Sequence, residues 1–241
     1  MGKFKNVVIT TKGTFKEKQK EAEDGFEVEP WEMERGGKTV TGVTYAKYHK
    51  NLRGKITKIE LVTPPYENAS EELRIIIEEN ENSVYNLTIP YLNNKREWLG
   101  DWVVAIAPVL NALKKGMNIE TWLNANKRDD SDRLYKNIFF KNTDTDEMIK
   151  PTFQREDVPS WDSEEVIHPV TKAKTVKWTR IANNQFLVEK IEEALDNFNN
   201  TSPAEAVVSE KEKPVSEKKE KPVSNKKAVV VEEDEDDLPF G

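Results

Sequence analysis

The sequence predicts a mainly β fold with two helices (α+β), followed by a long disordered C-terminal tail. Three observations carry this expectation. Short runs rich in β-branched and aromatic residues, several with apolar residues at period two, recur between residues 39 and 141, the mark of half-buried strands. Helical spacing breaks in once after residue 98 and returns at 184–198. All six Trp, all six Tyr and eight of nine Phe precede residue 200, so residues 200–241 are too poor in apolar surface to fold.

The elements are justified in chain order. Phe4, Val7 and Ile9 suggest a first strand, and residues 13–36 are too polar to assign, with Phe26 and Trp31 isolated among charges. Residues 39–49 (TVTGVTYAKYH) are Thr-, Val- and Tyr-rich and read as strand. Asn51 to Gly54 reads as a turn, and residues 55–63 as the returning strand, stopped by Pro64-Pro65. Residues 72–78 and 83–89 form a hairpin across Glu79–Asn82. Leu99, Trp102, Val103, Ile106, Val109, Leu110 and Leu113 then share one helical face, with Pro108 inside it and Gly116 ending it. Strands at 117–124 and 134–141 flank a charged turn, Lys127–Arg133. The Pro-interrupted 150–180 stretch reads as a wrapping loop, and Leu187, Ile191, Ala194, Leu195 and Phe198 line one face of a last helix.

The globular part is net acidic, which weighs against nucleic acid unless its positive charge is concentrated. It is concentrated in the sequence. From Arg35 to Ile59 there is no Asp or Glu, while Arg35, Lys38, Lys47, Lys50, Arg53, Lys55 and Lys58 stand in that window, interleaved with Tyr45, Tyr48 and His49. Alternation puts Tyr45, Lys47 and His49 on one strand face and Thr44, Ala46 and Tyr48 on the other. Cations meet phosphates and flat rings stack on unpaired bases, at about 1–3 kcal/mol per base. The later hairpin offers more of both. If Ile119, Thr121, Leu123, Ile138 and Phe140 face the core, then Trp122, Tyr135, Phe139 and Lys141 face out. A solvated edge hairpin, kept basic against aggregation, would also explain the first cluster.

The order of strands, helix and closing hairpin resembles the OB-fold, with an extra strand in its first half. The resemblance implies an OB-fold-like barrel of five to six strands whose open face carries basic and aromatic side chains.

Residues 1–199 are therefore expected to form the domain, 200–228 a disordered linker and 229–241 an acidic tip. The linker repeats EKPVSEKK (212–219) as EKPVSNKK (220–227), an extended spacer by composition. The tip reads VVVEEDEDDLPFG. Its carboxylates, including Asp234, Asp236 and Asp237, steer toward a basic surface, and Leu238, Pro239 and Phe240 fill an apolar pocket. From Asp234 to Phe240 the tip resembles the C-terminal tails of the bacterial and phage single-stranded DNA-binding proteins. Gly241 stands after Phe240, whereas the tail of that family ends on Phe. The resemblance implies binding and protection of single-stranded DNA during replication, recombination or repair, and recruitment of the proteins of those processes by the tip. The tip is also expected to compete with DNA for the basic segment.

Other classes find less support. The chain has no Cys, which excludes disulfides and thiolate metal sites, and no apolar run approaches a membrane span of about 20 residues. A cytoplasmic protein of a bacterium or a phage-infected host, without cofactor or membrane partner, is expected. Only His49 and His168 occur, with no HExxH, P-loop or GxSxG pattern, and no enzymatic activity is expected. One rival is a recombination mediator or protein adaptor with a DNA-mimicking tail. The other is a metal-dependent nuclease using Asp129, Asp130 and Asp132.

Overall fold

A computed structural model describes residues 3–65, 69–93, 97–127, 134–167 and 174–200. The chain divides into two units, Met1–Ser209 and Glu210–Gly241, and every described residue lies in the first. The linker and tip expectations fall outside the described residues, as do Asp129, Asp130, Asp132 and His168.

Among the described residues, twelve strands and two α-helices succeed one another: β1 (Lys3–Ile9), β2 (Phe15–Gln19), β3 (Glu27–Arg35), β4 (Lys38–His49), β5 (Asn51–Val62), β6 (Glu72–Asn80), β7 (Ser83–Pro90), α1 (Asp101–Leu110), β8 (Asn118–Lys127), β9 (Leu134–Asn142), β10 (Glu147–Met148), β11 (Asp162–Ile167), β12 (Lys174–Thr179) and α2 (Ile181–Asn200). The mainly β class with two helices holds. The expected barrel of five to six strands does not: ten strands form one open sheet, in the order β10-β9-β8-β5-β6-β7-β1-β2-β4-β3.

The difference comes from residues 3–35. β1 pairs parallel with β7, and β2 lies antiparallel to β1. β4 carries β2 along Tyr45–His49 and β3 along Lys38–Ala46. β2 and β3 lack an apolar run, β2 because one of its inward residues is a carboxylate and β3 because it lies at the sheet edge. β2 buries Phe15 together with Glu17. β3 ends the sheet, where Pro30 and the glutamates Glu27, Glu29, Glu32 and Glu34 are tolerated.

The expected hairpin between 39–49 and 55–63 is also corrected. β4 and β5 do not pair; they stand five places apart in the sheet, although only Lys50 separates them in the chain. The sheet between them curls until β4 runs end to end into β5. The same curl brings the β1–β2 loop against β8, where a Cβ on Gly13 would stand 2.9 Å from Ala125 Cβ. Asn51 to Gly54 is strand, not turn. Gly54, at φ +152, bends β5 so that its first residues pair with β8 and the rest with β6.

The β6–β7 hairpin stands as expected, closed by Glu81-Asn82. β8 and β9 also pair as expected. The 150–180 stretch is not only loop, since β11 and β12 form a separate two-stranded ribbon within it. Ile56, Ile59, Ile75, Ile77, Leu87 and Ile89 are fully or almost fully buried and form one core with Val103, Ile106 and Leu110 of α1. α2 adds Leu187, Ile191, Ala194 and Phe198, while Leu195 is only partly buried. Trp102 and Tyr85 are buried; Trp98 precedes the helix and is half-buried.

Candidate nucleic-acid interface

Three strands build the site: the first residues of β5, all of β8 and all of β9. Register fixes which side chains share a face. Asn51 stands opposite Trp122, and Trp122 opposite Phe139. One pair along, Arg53 stands opposite Glu120 and Glu120 opposite Lys141. Asn124 faces Asn137, and Asn126 faces Tyr135. Of the alternate residues expected to face the core, Ile119, Thr121, Ile138 and Phe140 are buried and Leu123 is only partly buried. The expected outward set of Trp122, Tyr135, Phe139 and Lys141 therefore does occupy one face.

Trp122 and Phe139 are stacked, with ring centroids 5.7 Å apart and planes 22° from parallel. Both are half-buried, leaving ring surface open to solvent. Arg53 Nη2 donates to both carboxylate oxygens of Glu120, at 2.9 and 2.8 Å, and Asn51 Nδ2 donates to the same carboxylate. The Arg53 hydrogen bond, aided by Asn51, holds the Glu120 carboxyl below its ordinary pKa. Lys141 pairs with Asp146 at 2.5 Å. Lys50 and Asn51 border a hollow with Thr14, Glu120 and Trp122, where the curled sheet brings the β1–β2 loop toward β8. Lys55 is exposed on the Arg53 side of β5.

The rest of the basic window is not gathered here. Lys38 sits at the far turn of the β3–β4 ribbon beside Arg35, whose side chain lies outside the described set. Tyr45 is half-buried on β4, and Lys47 Nζ stands 5.9 Å from the Phe26 ring centroid. Tyr48 donates to Glu29 at 2.5 Å, and Lys16 pairs with that carboxylate too. Those two bonds, that from Lys16 the larger, lower the Glu29 pKa. His49 Nε2 lies 2.9 Å from Glu17 and meets the Tyr85 ring edge-on at 5.8 Å. Lys58 pairs with Glu60 at 2.6 Å. In the acid-free window, Tyr48, His49 and Arg53 thus meet carboxylates of other strands, and Lys58 one of its own strand. Of its residues, Lys50, Arg53 and Lys55 join the aromatic face, while Lys38, Tyr45, Lys47, Tyr48, His49 and Lys58 do not, and the backbone of Arg35 stands at the far turn.

Two members of the site do not stand out in the sequence. Asn51 reads there as a turn residue. Glu120 has one signal only, its place two residues from Trp122, which puts both on the same face. Among the described residues no group of three or more His, Asp or Glu is placed to hold a metal ion, and no helix is long and apolar enough to cross a membrane. Comparison with protein-family models, curated proteins and solved structures finds no match.

Proposed function

We propose that the protein binds single-stranded DNA without sequence preference and recruits replication, recombination or repair proteins through its acidic Leu-Pro-Phe tip. The observation that carries this reading is the Trp122–Phe139 stack on an open strand face, with Arg53 and Lys141 flanking it. Unpaired bases extend such a stack, whatever their identity, because every base has a π-face. Phosphates are answered by Lys50, Arg53, Lys55 and Lys141. The asparagines 51, 124, 126 and 137 can hydrogen-bond to base edges or sugars without a charge cost. The succession β5-β6-β7-α1-β8-β9, with β8 returned to β5, is the order the OB-fold resemblance implies, here within an open sheet.

One observation favours the adaptor reading instead. Arg53 and Lys141 each already hold a carboxylate, and the chain is net −7. A protein partner could use the same aromatic face. Anisotropy of a labelled oligo-dT, titrated with the full chain across a salt series, separates the two. Binding that weakens steeply with salt supports the DNA reading, because it reports counterion release. No binding at low salt supports the adaptor.

A further inference from the structure

The β3–β4 ribbon has one blocked edge and one open edge. Its turn is Gly36-Gly37, at φ 58 and φ 72, between the opposed residues Arg35 and Lys38. This is a type I′ closure, so the Arg35–Lys38 pair is hydrogen-bonded and bonded pairs alternate along the ribbon. Lys38, Val40, Gly42 and Thr44 therefore spend their backbone groups on β3, while Thr39, Thr41 and Val43 direct theirs to the other side. Pro30 agrees with this count. It stands opposite Val43, in a non-bonded pair, so the N–H it lacks would have pointed away from β4.

The two edges are treated differently. The β3 edge has Pro30, Glu32 and Glu34, devices that stop a further strand from adding. β2 covers β4 only along Tyr45–His49, and among the described residues no strand pairs with the free side of residues 38–44. That stretch, Thr39 to Thr44, has no charge and no proline. Around it Trp31, Met33, Val40 and Val43 are 39–53% exposed.

We infer that this edge pairs with the same edge of a second copy, antiparallel about a two-fold axis through Thr41, joining two ribbons into a four-stranded sheet. The outward-directed groups at 39, 41 and 43 are symmetric about 41, so Thr41 meets Thr41 and Thr39 meets Val43, each as a bonded pair. The side chains agree with that register. Trp31 lies flat over Gly42, where a Cβ would fall 2.3 Å from the ring. The two-fold sets Val40 and Met33 of the second copy next in that row, giving one apolar band across four strands. Charge is complementary along the same axis. The turn of each ribbon, with the exposed Lys38, comes to the base of the other, with the exposed Glu27 beside Glu29, whose carboxylate Lys16 and Tyr48 hold. A heterologous acidic or apolar partner would not be matched by this symmetry.

The inference stands apart from the DNA-binding reading and is tested separately, by sedimentation of the full chain with and without oligo-dT. The wild type is expected to be dimeric in both. Thr41→Lys and Thr41→Glu each set like charges face to face across the axis and are expected to be monomeric with an unchanged circular dichroism spectrum. Mixed in equal amounts, they are expected to dimerise again. Thr41→Pro removes only the outward N–H and is expected to be monomeric with the ribbon intact. A monomeric wild type, or charge variants that dimerise as the wild type does, would overturn the inference.

Discussion

Trp122 and Phe139 face each other directly across β8 and β9 and hold their rings 22° from parallel. Cross-strand register makes this pair a fixed platform rather than two mobile side chains, and each ring has a face that a base can cover. Losing one ring removes one stacking partner, worth about 1–3 kcal/mol. Trp122→Ala and Phe139→Ala are each expected to weaken oligo-dT binding about 5- to 150-fold. Far-ultraviolet circular dichroism should be unchanged, because both rings lie outside the buried core.

Arg53 and Glu120 form the hinge of the electrostatics. On the proposed reading, the carboxylate occupies the position that a phosphate would take from it. Glu120→Gln frees Arg53 and is expected to raise affinity at low salt. Arg53→Ala is expected to lower affinity and to flatten the log–log salt slope by about 0.7, the increment for one phosphate contact on a single strand. A salt titration of both variants measures this.

Gly54 bends β5 at φ +152, and a Cβ there would stand 2.3 Å from the Glu78 carbonyl oxygen. That contact is with backbone and cannot relax by a rotamer change. Gly54→Ala is expected to destabilise the fold by about 2 kcal/mol or more, read as a lowered midpoint of thermal unfolding. It should also displace Arg53 and Asn51, so any folded remainder binds oligo-dT more weakly.

These residues also show what is legible in the sequence and what is not. Alternation places Trp122, Phe139, Tyr135 and Lys141 on one face because β8 and β9 are long and bury Ile119, Thr121, Ile138 and Phe140 on the other. The helix faces are equally legible, since Leu187, Ile191, Ala194 and Phe198 recur at helical spacing. β2 is not, because its second inward residue is Glu17, satisfied by His49, a partner 32 residues away. β3 is hidden by Pro30, which only an edge tolerates. The β4–β5 junction looks like a turn because Asn51 and Gly54 are turn formers by local chemistry. Here glycine serves a bend inside one strand, and only long-range pairing with β8 reveals it. The acid-free window misleads for the same reason, as the counter-charges of His49 and Arg53 come from other strands.

Glu79 sets an acid limit on stability. Burial opposes its ionisation, but hydrogen bonds from Lys5, Ser83 and Tyr85 outweigh this and lower its pKa from 4.5 to about 2. A depressed carboxyl stabilises the fold above its unfolded pKa, and that stability is lost as pH falls from about 4.5 toward 2. With 36% of its side chain exposed, solvent screening reduces the contribution to about 1 kcal/mol. Urea midpoints measured through this range should fall for the wild type and fall less for Glu79→Gln.

The most direct test of the proposed DNA-binding face is tryptophan fluorescence during titration with an oligo-dT. Stacking of thymine on Trp122 should quench the wild type at low salt. Trp122→Phe, which keeps a ring but loses that emitter, should still bind by anisotropy while showing clearly less quenching. An absence of binding at low salt, or quenching of the same depth in the Trp122→Phe variant, would contradict the assignment of this face to single-stranded DNA.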